Sequence, residues 1–326
     1  MDFFHTVYGL RVQANQFIPG LEPLSPIGIA DICVSLQSWP SLEYEREGSE
    51  HWYTSPFLDS EGQPTVKAWR LSSGSYFKLC YSDGAEFILD GAGTRIWARW
   101  SSPLILEDIA VYLLGPILGF VLRLRGMTCL HASVVCVANN AIAFIGPGGS
   151  GKSTTAAGFT KLGYPILADD VAALKDNGDS FTVQPGYPHL RLWPSSVQFL
   201  YGHSEALPRL VPKSTWDKCY LNLSETEQNF QQDELPLTAA YFLDERANDS
   251  AAPSIHSLSP GDALMRLVSN SYANYLLDRN LREREFLLLT RLSRSIPMKR
   301  LVPHTDSDCL LDLCALVLDD LVEQSQ

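Results

Sequence analysis

The octet Gly146-Pro147-Gly148-Gly149-Ser150-Gly151-Lys152-Ser153 constrains this chain more than any other feature. It fits the P-loop pattern GxxxxGK[ST] at every fixed position. Its context restricts it further: residues 141–145 read as a buried strand, and 152–162 read as a helix ended by Gly163. A glycine loop between strand and helix can bring several backbone N–H groups onto one phosphate. Glycine removes the side chains that would block this approach and supplies the positive φ angles of a concave loop. The helix start adds unpaired N–H donors and partial positive charge. Lys152 is then expected on the β- and γ-phosphates, Ser153 on Mg²⁺, and Thr154 beside them in the first helical turn. The expected ligands are ATP and Mg²⁺. The competing reading is a glycine-rich turn that binds nothing.

Asp169 and Asp170 follow one helix and one short strand later, at the end of residues 165–168. Neighbouring strand residues point to opposite faces, so the two acids are expected in different roles. One would hold Mg²⁺. The other would accept a proton from an attacking hydroxyl. The alternative is a pair of solvated acids closing a strand. His131 opens the strand 131–137, which forms a hairpin with 141–145 around Asn139-Asn140. It is placed to orient the catalytic aspartate, and equally to be a structural histidine at a strand start.

Further along, 171–174 and 181–184 flank an Asp176-Asn177-Gly178-Asp179 turn. Residues 239–243 read as another strand, and Ser259-Pro260-Gly261-Asp262 opens a helix. Apolar spacing on that helix runs through Leu264, Leu267, Val268, Tyr272 and Tyr275. A last helix covers about 307–323. The preceding hundred or so residues are dense in turn signals, with a hairpin expected around Asp83-Gly84. Residues 103–124 are apolar, but Glu107 and Asp108 leave only 14 charge-free residues, against about 20 for a membrane span. They are expected to form a buried helix, broken near Gly115-Pro116. The boundary is drawn at the polar break that follows, giving an N-terminal α+β domain over 1–125 and an α/β catalytic domain over 126–326.

With 25 Lys and Arg against 37 Asp and Glu, the formal charge is −12, which disfavours a general nucleic-acid partner. The seven cysteines form no CxxC and read as buried small hydrophobes in a reducing compartment. The start of the chain has no basic segment followed by an apolar run. A cytoplasmic protein is expected, with a homo-oligomer left open.

From Cys129 onward the chain resembles the HPr kinase/phosphorylase superfamily, bacterial serine kinases with a PEP-carboxykinase-like P-loop. Leu130-His131-Ala132-Ser133, the octet, and Leu167-Ala168-Asp169-Asp170-Val171 carry the resemblance. It continues through 188–194 (PHLRLWP), Lys218-Cys219-Tyr220, Leu258-Ser259-Pro260 and Asn270-Ser271-Tyr272. It implies a P-loop kinase domain of the HPr-kinase/PEP-carboxykinase type. Asp169 would be the general base, His131 its neighbour, and Asp170 a Mg²⁺ holder together with Ser153. Arg191 and Lys218 would meet phosphate or acceptor. Gln184-Pro185-Gly186-Tyr187-Pro188 stands where the family's glycine-rich phosphorolysis signature would be. The implied activity is therefore forward transfer of phosphate from ATP to a serine or other hydroxyl on a peptide or protein, as in peptide-tailoring kinases of this superfamily. Two other readings stay open: a nucleotide-gated binding module with little chemistry, and a kinase of a small hydroxylated metabolite.

Overall fold

The computed structural model describes residues 2–25, 28–40, 49–211, 217–224, 229–248 and 251–324. The protein is mixed α/β and divides into two compact units. The first comprises Met1–Met127 with Ala273–Leu281, and the second Thr128–Tyr272 with Arg282–Gln326.

The first unit is built on an eight-stranded sheet. Its strands are β1 (Phe3–Val7), β2 (Leu10–Ala14), β3 (Ile32–Leu36), β4 (Ser49–Thr54), β5 (Val66–Leu71), β6 (Tyr76–Tyr81), β7 (Glu86–Asp90) and β8 (Arg95–Arg99), in the order β1-β2-β3-β8-β7-β6-β5-β4. Strands β2, β3 and β8 pair in parallel and the remaining pairs are antiparallel. The hairpin expected around Asp83-Gly84 is β6–β7, with Gly84 at φ +97°. The apolar stretch forms α1 (Leu106–Tyr112), a wide turn over Leu113–Ile117, and α2 (Leu118–Leu124). Pro116 sits inside that wide turn. It lacks an N–H, and its ring would collide with the carbonyl four residues back, so the backbone expands rather than continuing as regular helix. No helix among the described residues is long and apolar enough to cross a membrane.

In the second unit the strands are β9 (Thr128–Val137), β10 (Asn140–Ile145), β11 (Ile166–Ala168), β12 (Val171–Asp176), β13 (Phe181–Val183), β14 (His189–Leu192), β15 (Cys219–Asn222), β16 (Leu235–Leu243), β17 (Ser254–Ser257) and β18 (Met298–Val302). Strand β9 is ten residues long and serves three partners, β10, β11 and β12. Thr128–His131 pairs with β12, and 132–137 pairs with β10. The turn between β9 and β10 uses Ala138 and Asn139, both at positive φ, one residue earlier than expected. Strand β10 runs parallel to β16, β16 parallel to β18, and β13 joins β12 to β16. Strands β14 and β15 form a separate two-stranded ribbon.

The helices of this unit are α3 (Lys152–Lys161), α4 (Pro194–Tyr201), α5 (Pro260–Ser269), α6 (Arg279–Ser295) and α7 (Leu310–Gln324). Because strand side chains alternate, each sheet face has its own core. On one face Ala132, Val134, Ala143 and Phe242 pack with Ala263 and Leu267 of α5 and Leu289 and Leu292 of α6. On the other, Val135, Phe144 and Tyr241 pack with Ala157 and Phe159 of α3, Val197 of α4, and Leu313 and Val317 of α7. Helix α5 stops at Ser269 instead of continuing to Tyr275. The backbone is diverted: Ser271 bridges to Leu130, and the Tyr272 N–H donates to the Cys129 carbonyl at 2.8 Å. Tyr275 belongs to the first unit, 4.6 Å from the Tyr53 ring. All seven cysteines are unpaired, and Cys33, contrary to the expectation of burial, is exposed.

Candidate functional site

The glycine loop leaves β10 at Ile145 and enters α3 at Lys152. Gly149 has φ +81° and Gly151 +102°, backbone that disfavours any side chain. Gly146 is needed for another reason: a Cβ there would lie 2.7 Å from Ser150 Oγ. Among the described residues, the N–H groups of Gly148, Gly149 and Gly151 donate no hydrogen bond, and the buried Ser150 Oγ has no partner. Gly148 and Gly149 are exposed, so their N–H groups are open to solvent and to an incoming anion. Lys152 is 5 % exposed, and its Nζ donates to the Gly146 and Pro147 carbonyls at 2.7 and 2.9 Å. Burial lowers this lysine to about 8, although Asp169 and Asp170 act in the opposite direction. Thr154 Oγ1 lies 2.8 Å from Ser196 Oγ, so it is engaged with α4.

The acids arrive through strand register. Ala168 of β11 stands opposite Val134, and Val171 of β12 opposite His131. Asp169 and Asp170 therefore fall in a bend beside His131 and Ser133, which share one face of β9. The bend itself separates the acids, with Asp170 at φ +69° and the Val171 N–H returning to the Asp169 carbonyl at 2.8 Å. Aspartate tolerates this left-handed conformation better than most residues.

The partners of the two acids differ from the expected ones. Ser153 Oγ donates to Asp169 Oδ1 at 2.9 Å, so Ser153 pairs with Asp169 and not with Asp170. Asp169 is 4 % exposed and is also bonded by Ser133 Oγ at 2.5 Å and by the Arg191 backbone N–H at 3.0 Å. His131 pairs with Asp170 and not with Asp169. Its Nδ1 lies 3.0 Å from the Asp170 carbonyl and 3.2 Å from Oδ1. Both neighbours are acceptors, so Nδ1 carries a proton, and in the neutral ring Nε2 is the acceptor. Tyr272 Oη donates to Asp170 Oδ2 at 3.1 Å, and Arg191 Nη1 lies 3.7 Å from the same oxygen. Burial alone would raise the Asp170 carboxyl. The hydrogen bond from His131 and the charges of Arg191, His131 and Lys218 outweigh it and hold the group well below the usual carboxylate range.

Arg191, on β14, is 9 % exposed, and its guanidinium carbon lies 5.6 Å from the Tyr187 ring centre. Lys218 sits 5.0 Å over the exposed Trp193 ring. Ser133, Tyr187 and Tyr272 lie in segments named in the sequence, but none was given a role at the site there. For Ser133 the signal was available, since it lies two residues after His131 on the same strand face. For Tyr272 it was hidden, because helical spacing assigned it to α5.

No protein-family model and no curated protein matches the chain. Solved structures similar to it include the Hpr(Ser) kinase/phosphatase from Coxiella burnetii, at 10% sequence identity and a TM-score of 0.35, over 60% of this chain and 92% of that one.

Proposed function

We propose that the second unit is a phosphotransferase that moves the terminal phosphate of ATP, with Mg²⁺, to a serine or other hydroxyl on a peptide or protein. The observation that carries this reading is the row of unused N–H donors at Gly148, Gly149 and Gly151 beside the buried Lys152. These groups fit a chain of phosphates, and the glycines keep the approach open. The peptide or protein acceptor rests on the sequence resemblance to HPr kinase/phosphorylases.

The pairing of the acids shifts their assignment. Asp169 is almost fully buried and accepts three hydrogen bonds, which leaves about one of its four lone-pair sites and makes it less accessible to an acceptor hydroxyl than Asp170. Its bond to Ser153 suits it to hold Mg²⁺ together with that hydroxyl. Bound Mg²⁺ would neutralise charge on the β- and γ-phosphates. The base is the His131–Asp170 pair: Asp170 fixes the Nδ1–H tautomer, and Nε2 takes the proton of the attacking hydroxyl. The hydroxyl oxygen bonds to the γ-phosphorus as the bond to the β-phosphate oxygen breaks. Lys152 exchanges its two loop carbonyls for phosphate oxygens as the loop fills. Arg191 is placed to share its charge between Asp170 and the transferring group.

The test is transfer from γ-labelled ATP to a panel of serine-containing peptides, read as phosphoserine. Asp170→Asn should lower kcat by about 10²- to 10⁴-fold with little change in KM for ATP, the span of a lost acid–base group. Asp169→Asn should instead raise the Mg²⁺ requirement by about tenfold or more, as loss of a metal-orienting carboxylate does. Full activity in Asp170→Asn would end the base assignment.

A further inference from the structure

Tyr272 touches Asp170, yet no step of the proposed reaction uses it. The backbone brings it there by leaving the helical path. After α5 ends at Ser269, residues 270–272 run antiparallel along the start of β9, with Ser271 opposite Leu130. Two backbone bonds fix that register: the His131 N–H donates to the Asn270 carbonyl, and the Tyr272 N–H to the Cys129 carbonyl, each at 2.8 Å. Between them the buried Ser271 Oγ donates to Oε1 of the buried Glu285, on α6, at 2.6 Å. His131 and Tyr272 are thus tied to each other through the backbone, and their ring centres lie 5.9 Å apart.

The tie matters because His131 alone does not fix the Asp170 carboxylate. That group turns about a torsion with a broad, two-fold profile. His131 Nδ1 has the Asp170 carbonyl at 3.0 Å as well as Oδ1 at 3.2 Å, so its proton stays satisfied whichever way the carboxylate turns. Arg191 Nη1 stands 3.7 Å from Oδ2, and a guanidinium draws a carboxylate into a closer, two-bonded pair where nothing opposes it. The Tyr272 hydroxyl opposes it. It donates to Oδ2 at 3.1 Å, which keeps Oδ1 turned to His131 and that oxygen beyond hydrogen-bond distance of Arg191 Nη1. The phenol is neutral, so it holds the carboxylate without cancelling its charge.

Resting on the phosphotransferase reading, we infer that Tyr272 is a positioning residue. Its hydroxyl holds the Asp170 carboxylate against His131, so that the imidazolium formed when Nε2 takes the acceptor's proton meets a full negative charge. No bond of Tyr272 itself is made or broken in the reaction.

The experiment is phosphotransfer by the full chain from γ-labelled ATP to the serine peptide that wild type labels best. Tyr272→Phe removes the hydroxyl and keeps the ring. It should lower kcat by about tenfold or more, the scale of a misplaced catalytic group. MgATP affinity and the Mg²⁺ requirement should stay within about twofold, since neither depends on the base. If Tyr272 acts through Asp170, the same change made in Asp170→Asn should cost less than about twofold, because the charge it positions is already gone. Full kcat in Tyr272→Phe, or an equal loss with and without the Asp170 charge, overturns the inference and leaves the phosphotransferase reading standing. Loss of MgATP affinity along with kcat marks Tyr272 as structural and also overturns it. If wild type labels no peptide, both fail together.

Discussion

Lys152 is the residue on which the electrostatics of the site turn. Its charge is buried, with two carbonyls as direct partners, and burial pulls it down to about 8. In the nucleotide-free protein near pH 8, about half of these lysines are neutral. A bound triphosphate favours the charged form. Binding at pH 8 should therefore take up about half a proton, and at pH 6.5, where the lysine is already charged, almost none. Calorimetry in buffers of different ionisation enthalpy measures this directly. Lys152→Arg should abolish the uptake at pH 8, because a guanidinium stays charged. Buffer-independent binding enthalpy at pH 8 in wild type would contradict the account. Other residue-scale features were less visible in the sequence. Two adjacent acids are easy to find, but their opposite partners depend on a left-handed bend at Asp170. Alternation along a strand gave the right separation for the wrong reason.

At the scale of elements, local chemistry was legible and long-range pairing was not. The strand–loop–helix around the octet, the cap at Gly163 with φ +85°, and the Ser259 cap accepting the Asp262 N–H at 3.2 Å all follow from residues close in sequence. The parallel pairing of β10 with β16 does not, because it joins residues about a hundred positions apart. Nor does the end of α5, which is set by bonds to β9 and overrides an apolar pattern that would continue the helix. Helix α3 illustrates how packing can reverse propensity. Replacing a mid-helix glycine with alanine usually stabilises by about 1 kcal/mol. A Cβ on Gly158 would lie 2.9 Å from Cys314 Sγ and 3.2 Å from Leu310 Cγ, both on α7. Overpacking of this kind costs about 1–3 kcal/mol, so Gly158→Ala should be neutral to destabilising by about 2 kcal/mol in urea unfolding. Gly163→Ala meets no neighbour, yet it should also destabilise, by about 1 kcal/mol, through its positive φ alone. A clear gain in stability from Gly158→Ala would show that α3 and α7 are not closely packed.

For the whole molecule, an overall charge of −12 coexists with a phosphate site because the cations are gathered locally. Lys152, Arg191, Lys218 and Arg246 all belong to the second unit, around or beside the glycine loop and the acids. The first unit shows no comparable cluster of chemistry among its described residues. Its sheet was only partly readable, since turn signals located the β6–β7 hairpin while the parallel β2–β3–β8 pairing had no local signature. The account rests on the backbone amides of the glycine loop taking hold of a nucleotide's phosphates. Amide hydrogen exchange of the full chain, with and without saturating MgATP, reads those amides directly. One MgATP should bind per chain and slow exchange in residues 146–155, and Lys152→Ala should lose both the binding and the protection. Nucleotide that binds without slowing exchange there, or no binding at all, would contradict it.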